Sequence, residues 1–153
     1  MTFPAIELLR MRYLRGPNVW TYRPVIEAWV DLGPLEDHPS NTLPGFVDRL
    51  TAWLPGMIEH RCGVGERGGF IQRLHEGTWC GHIMEHVAIE LQTLAGMQVG
   101  FGKARETSQR GVYKVVIRTR QEEVGRESMV AARDWVMAAI HGTAFDVKGT
   151  VNR

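Results

Sequence analysis

Several features that mark specialised protein classes are scarce in this chain. Its 153 residues include only two cysteines, Cys62 and Cys80, so we expect reduced thiols and no framework of disulfide bridges. No apolar run approaches the ~18 residues of a membrane-spanning helix. The N-terminus also lacks the basic start, apolar core and cleavage site of a secretory signal. These absences predict a cytoplasmic protein without a membrane partner.

An excess of charge of one sign is missing as well. Lysine and arginine together number 18 against 17 acidic residues, which leaves a net charge of +1. Proteins that bind nucleic acid through its phosphates usually carry a basic surplus, so we expect no nucleic-acid partner. The phosphate-binding motif G-x-x-x-x-G-K-[ST] does not occur either. The chain therefore carries no nucleotide-binding signature of this type.

The composition that remains is that of an ordinary globular domain. Hydrophobic residues make up 44% of the chain and charged residues 23%, and the length suffices for one hydrophobic core. We expect a single domain over residues 1–141. Hydrophobic periodicity fades after His141, so residues 142–153 are predicted to form a linker or a frayed end.

The hydrophobic pattern predicts both strands and helices. Residues 5–14, 25–32 and 111–120 alternate between apolar and polar positions, as half-buried strands do, and Leu9 is assigned to the covered face of the first. Helical spacing predicts four helices, over residues 43–54, 70–75, 78–95 and 124–140. This order predicts an α+β fold, in which helices cover one face of a small, mostly antiparallel sheet.

The stretch His82-Ile83-Met84-Glu85-His86 has the order H-x-x-E-H found in inverted zinc-peptidase motifs. Residues four apart stand one above the other on a helix, so the two imidazoles can take adjacent corners of a tetrahedral Zn²⁺ site. The carboxylate between them can act as the base for the attacking water. The sequence therefore predicts His82 and His86 as metal ligands and Glu85 as the catalytic residue.

The helix that carries this motif is predicted to have two different faces. At about 100° per residue, an apolar face collects Met84, Val87, Ala88, Leu91, Leu94 and Ala95. His82, Glu85 and His86 gather on the opposite side, so we expect them to face solvent or a cleft. The alternative is a solvated helix face on which histidine and glutamate lie together by chance.

The third metal ligand is left open by the sequence. Glu90 lies one turn beyond the motif on the same flank and is the residue we assign. His60, before a glycine-rich loop, and Glu106, after a glycine-rich turn, are the alternatives. Cys62 and Cys80 match no paired C-x₂-C zinc pattern, so both are interpreted as small buried apolar residues.

Ordered blocks along the chain resemble one protein family. They include Leu14-Arg15-Gly16-Pro17-Asn18, Glu59-His60-Arg61-Cys62, the stretch from Gly81 to Gln92, Val99-Gly100-Phe101-Gly102 and Arg105-Glu106-Thr107. Over about residues 6–140 the chain is similar to the N-terminal region of cyanophycin synthetases. The resemblance implies a parent enzyme that adds aspartate and arginine to the polymer cyanophycin with ATP and Mg²⁺. In the family, ATP-grasp and Mur-ligase-like domains follow this region, and both are absent here.

The resemblance also implies a role for the region itself. In the family it is associated with holding the polymer, and in some members it resembles a metallopeptidase that cuts the polymer into primers. His82, Glu85 and His86 occupy the matching positions. The chain is then either an excised domain or a standalone relative. The alternative function is a polymer-binding or oligomer-assembly module without hydrolytic activity.

Basic residues on two predicted strands are candidates for holding the polymer. Arg10, Arg12 and Arg15 belong to the first strand and its turn, and Arg118 and Arg120 belong to a later strand. If these strands pair, the arginines form a basic face that could bind carboxylates through bidentate contacts. The alternative is an ordinary solvated sheet face.

Overall fold

The computed structural model describes residues 2–62 and 65–143, so most of the tail predicted over residues 142–153 lies outside the described residues. Within them the strands are β1 (Glu7–Leu14), β2 (Val25–Asp31), β3 (Gly102–Glu106) and β4 (Val112–Arg118). The helices are α1 (Phe46–Trp53), α2 (Gly69–Glu76), α3 (Cys80–Leu94) and α4 (Glu122–His141). Short 3₁₀ helices span Gly33–Asp37, Ser40–Thr42 and Pro55–Glu59.

The four strands form one antiparallel sheet in the order β1-β2-β4-β3. Alternate residues of β2 and β4 are fully or almost fully buried on one face, because α3 and α4 pack against that face; they are Ile26, Ala28, Val30, Tyr113, Val115 and Ile117. The other face is not covered by a described helix. The predicted α+β fold, with helices on one side of a small antiparallel sheet, is confirmed.

Strand β1 contains a β-bulge that the alternating pattern did not reveal. Leu8 pairs with Val30 and Arg10 pairs with Trp29, so Leu9 is the extra residue. Its side chain is 46% exposed, and the prediction that it faces the core is wrong. Because a bulge inserts one residue without changing the partner strand, Leu8 takes the core-facing position.

Strand β3 was not predicted. Its sequence, Gly-Lys-Ala-Arg-Glu, lacks the β-branched and aromatic residues that favour strands, so the sequence indicated only a glycine-rich turn. It is ordered by pairing with β4 at the edge of the sheet. This pairing places Gly102 directly against α3, where β3 becomes one wall of a cleft.

Helix α3 is buried on both of its sides. Its apolar side packs into the core, and its polar side lies beneath β3 and the segment Pro55–Glu59. At the C-terminal end the prediction is wrong, because Leu94 and Ala95 are exposed where α3 extends past its neighbours. Every helix in the described part of the chain is too short or too polar to cross a bilayer.

Candidate metal centre

Three side chains of types that can bind a metal converge at one end of α3. His82 and His86 lie one helical turn apart, and the loop after Pro55–Glu59 brings Cys62 against them, with its Sγ 3.0 Å from His82 Nε2. One donor atom from each of these residues lies within 4.8 Å of the other two. A thiolate and two imidazoles are donors that Zn²⁺ prefers, and three protein ligands leave a fourth position open, as in catalytic zinc sites. The residues present therefore fit a zinc ion.

Hydrogen bonds orient both imidazoles. The Nδ1 atom of His82 lies 2.8 Å from the Thr78 hydroxyl oxygen, and the Nδ1 atom of His86 lies 2.9 Å from His60 Nδ1. The Phe70 ring stacks on His86 at a centroid distance of 4.0 Å. Each Nδ1 atom is thus engaged, so Nε2 is the atom of each ring that would ligate a metal. Nε2 of His82 faces Cys62 Sγ, and Nε2 of His86 faces Glu85 Oε2.

Glu85, the residue predicted as the catalytic base, lies beside these three side chains. Its side chain is buried, and its Oε2 is 3.6 Å from His86 Nε2. Burial raises the pKa of Glu85 to about 7, and the neighbouring Lys103 opposes this shift only in part. A general base works best with a pKa near the working pH, so Glu85 suits the role at neutral pH.

The two histidines are electrically neutral at pH 7. Burial, assisted by Arg73, lowers the pKa of His82 to about 4. Burial, with His82 and His60 nearby, also lowers the pKa of His86. Burial and the charge of Glu85 raise the pKa of the Cys62 thiol, so this thiol would have to release its proton in order to bind a metal.

Cys62 is the site residue that sequence reasoning missed. It was interpreted as a buried apolar residue, but it is half-buried and contacts His82. It is also the only non-glycine residue in the described part of the chain with positive φ, at 46°. Such backbone strain often accompanies functional sites. Its position in the sequence could have identified it as a site residue, because Cys62 lies two residues after His60 at the start of a glycine-rich loop.

The structure separates the three residues predicted as candidates for the third ligand. Glu90 and His60 both line the cleft and contact each other, with His60 Nε2 3.0 Å from Glu90 Oε1. Glu106 lies at the end of β3 outside this cleft, where its carboxylate accepts a hydrogen bond from the Tyr113 hydroxyl at 3.4 Å. The cleft has a volume of about 910 Å³, which suffices for a peptide-like segment.

The predicted arginine candidates do not form a single basic face. Strand β2 lies between β1 and β4, so the arginines of these strands are not neighbours in the way that the prediction required. Arg10 and Arg12 lie on the open face beside Trp29. Arg15 follows β1 in a turn, Arg118 ends β4, and Arg120 lies beyond it.

A different basic row crosses the open face of the sheet. The strand register aligns Arg10 with Trp29, Trp29 with Lys114, and Lys114 with Arg105. Arg10 Cζ and Lys114 Nζ lie 5.0 and 5.4 Å from the centre of the Trp29 ring. Arg105 Cζ lies 5.0 Å from the centre of the Trp20 ring. Four strands thus contribute three cations and an aromatic ring to one row.

Comparisons with known proteins agree on one family. A family described as "Cyanophycin synthase-like N-terminal domain" matches residues 27–141. The chain is 49% identical over 123 residues to the cyanophycin synthetase of Geminocystis herdmanii, which covers 79% of the chain and 14% of that protein. It is 49% identical over 129 residues to the cyanophycin synthetase of Crocosphaera subtropica, which covers 83% of the chain and 15% of that protein.

A third relative shows the same relation. The cyanophycin synthetase of Synechocystis sp. is 48% identical over 129 residues, which covers 83% of the chain and 15% of that protein. The chain thus spans about 14–15% of the length of these curated relatives. The family match covers β3, β4, most of β2, α3 and the cleft, and the chain belongs to the family of cyanophycin synthetase N-terminal domains.

Proposed function

We propose that this domain is a zinc-dependent hydrolase that cuts the backbone of cyanophycin internally and so produces primers for polymer synthesis in the cytoplasm. One observation carries the proposal: the donor atoms of Cys62, His82 and His86 converge beside the carboxylate of Glu85 in an open cleft. The polymer is suggested by the relatives, which are cyanophycin synthetases. ATP and Mg²⁺ would serve only ATP-grasp and Mur-ligase-like partner domains.

The residues of the cleft divide the work of hydrolysis. Cys62, His82 and His86 would hold Zn²⁺, which when bound polarises the scissile carbonyl and activates water. Glu85 would take the proton from the attacking water and pass it to the leaving amine. Because His82 and His86 are neutral at pH 7, neither loses a proton when the metal binds, whereas Cys62 does.

The direct test is the length of the polymer. Purified cyanophycin is incubated with the metal-free chain, with the chain plus Zn²⁺, and with the zinc-loaded chain plus chelator, and the products are sized. We expect shorter polymer only with Zn²⁺ and no chelator. Polymer of unchanged length at saturating Zn²⁺ would count against hydrolysis.

Thiol labelling tests the assignment of Cys62 as the third ligand. In the native, metal-free chain an alkylating reagent should modify the half-buried Cys62 and leave Cys80 unmodified, because Cys80 is fully buried. Zn²⁺ should then protect Cys62. Equal labelling of Cys62 with and without bound Zn²⁺ would show that it is not a ligand. The Cys80→Ala variant isolates the signal of Cys62.

A second candidate function, polymer binding without hydrolysis, is favoured by the row Arg10–Trp29–Lys114–Arg105. Lys114 and Arg105 lie directly opposite each other, and like charges in this position repel. Carboxylates placed across the row would relieve that repulsion, and cyanophycin carries carboxylates along its length. In the synthetases, such binding would hold the polymer beside the ligase domains and raise its local concentration.

A further inference from the structure

Three largely buried side chains, His86, His60 and Glu90, form a hydrogen-bonded relay that leads away from the candidate metal centre. His86 Nδ1 lies 2.9 Å from His60 Nδ1, and His60 Nε2 lies 3.0 Å from Glu90 Oε1. All three side chains are largely shielded from solvent, with exposures of 8% for His86, 11% for His60 and 6% for Glu90. Each contact lies within the distance of a hydrogen bond, so each must contain a proton.

The positions of these protons follow from the chemistry of the two rings. If His86 offers Nε2 to a metal, its own proton is on Nδ1 and is donated to His60 Nδ1. His60 then accepts at Nδ1, so its proton must be on Nε2, where it is donated to the Glu90 carboxylate. A neutral imidazole donates from one nitrogen and accepts at the other, so with both rings neutral and Glu90 ionised this is the single arrangement of protons that satisfies both hydrogen bonds.

We propose that His60 and Glu90 are positioning residues that hold His86 in the Nδ1–H tautomer and aim its Nε2 atom at the metal. Neither residue is then a ligand. This role resembles the carboxylate–histidine pairs behind many zinc ligands, extended by one imidazole. It rests on the metal site of the proposed function, but the tautomer itself is a property of the metal-free chain.

Packing around the relay supports a fixed geometry. A Cβ atom at Gly56 would lie 2.1 Å from Glu90 Oε2, so glycine at this position leaves room for the carboxylate. On the other side, Phe70 stacks on His86 with an interplanar angle of 19°. The His86 ring is therefore held at its face by Phe70 and at Nδ1 by His60.

The two metal-binding histidines are held differently. His82 has a neutral partner, the Thr78 hydroxyl, whereas the relay behind His86 ends in a carboxylate. A carboxylate at the end of a hydrogen-bonded chain increases the electron density on the ligand nitrogen and strengthens metal binding. Loss of the Glu90 carboxylate should therefore weaken the metal site through His86, although Glu90 does not contact the metal.

The first experiment reads the tautomers directly in the metal-free chain. Long-range ¹⁵N–¹H correlation spectra of the ¹⁵N-labelled protein should show His86 protonated at Nδ1 and His60 protonated at Nε2. A His86 ring protonated at Nε2 would overturn the proposal without reference to any variant. Because no polymer is present, failure of hydrolysis in a separate assay would leave this result intact.

The second experiment breaks the relay at its far end. Glu90→Met retains most of the side-chain volume without an acceptor, and we expect mixed His86 tautomers and about 10- to 100-fold weaker Zn²⁺ binding. Glu90→Gln retains an acceptor oxygen and should restore the His86 tautomer. Glu59→Gln removes an exposed carboxylate from the rim of the same cleft and should change neither measurement. Complete loss of Zn²⁺ binding in Glu90→Gln, with the fold retained, would identify Glu90 as a ligand instead.

Discussion

The cleft beside α3 and the open face of the sheet both concentrate ionisable side chains, but they do so in opposite ways. In the cleft, His82, Glu85 and His86 are largely buried, and specific neighbours fix their orientation. On the open face, Arg10, Arg12 and Lys114 surround Trp29 at exposed or half-buried positions, and among these three cations only Arg12 has a carboxylate partner, Glu27. Buried groups with defined partners suit chemistry on one bond, whereas a row of like charges suits the binding of a long chain that carries carboxylates.

The largest expected effect comes from removing a ligand in the cleft. His86→Ala should abolish Zn²⁺ binding and hydrolysis, because two ligands hold the ion far more weakly than three. It also removes the stacking on Phe70 and leaves His60 Nδ1 without its hydrogen-bond partner, so we expect the free energy of unfolding to fall by roughly 1–3 kcal/mol. Metal content and urea unfolding measure the two effects. Arg120→Ala, an exposed change, is the control, and a His86→Ala variant that retains zinc would refute the assignment.

Removing the base should separate catalysis from metal binding. Glu85→Gln preserves the shape of the side chain but cannot accept the proton of water, so we expect hydrolysis to fall about 10²- to 10⁴-fold. Zn²⁺ affinity should remain close to that of the unaltered chain, as measured by titration. Loss of the metal in this variant would show that Glu85 is a ligand. The cleft would then contain no identified base.

A substitution in β3, which forms one wall of the cleft, should have a smaller effect. A Cβ atom at Gly102 would lie 2.7 Å from Glu85 Cγ and 2.8 Å from Ile89 Cδ1, so Gly102→Ala should displace the base. We expect roughly 10- to 100-fold slower hydrolysis with Zn²⁺ still bound, since small displacements of a catalytic group are costly. Gly100→Ala is the matched control, because a Cβ atom there meets nothing within 4 Å. Equal rates for the two variants would mean that β3 does not position Glu85.

Substitutions on the open face should have the smallest effect, and their effect on polymer binding should depend on salt. Replacing Arg10 and Lys114 together by alanine should weaken cyanophycin binding about fivefold at low salt, since exposed charge contacts are worth about 0.5 kcal/mol each. The difference should shrink at high salt because the contacts are screened. Arg15→Ala together with Arg120→Ala removes equal charge away from the row and is the control. Equal losses in the two double variants would show that net charge, and not the row, binds the polymer.

The parts of the molecule that depend on local sequence were predictable. Strand β2 and the core-facing side of β4 follow a period of two, and α3 follows a helical period, so the register of His82 with His86 was evident. Hydrophobic periodicity of this kind predicts the α+β fold, and ordered sequence blocks indicate the family. These patterns could not reveal that the polar side of α3 is buried, because that burial depends on β3 and on the segment before Cys62.

The features that were missed depend on partners far away in sequence. Strand β3 has little strand propensity of its own and is defined by its pairing with β4. Cys62 reaches His82 only because a loop folds back over α3, and no fixed spacing records such a contact. Glu90 and His60 were both placed near the metal by reasoning from the sequence. The structure places both in the cleft, where they form a chain of hydrogen bonds to His86 that no sequence spacing records.

The bulge at Leu9 has a consequence for how β1 tolerates changes in length. Because Leu9 is the extra residue, its deletion leaves Arg10 opposite Trp29 and preserves both faces of the strand. Deleting Met11 instead would be absorbed by closing the bulge, and Arg10 would then take the position opposite Ala28 on the core side. Two single-residue deletions only two positions apart should therefore differ sharply, the first giving a regular strand and the second burying a guanidinium in the core.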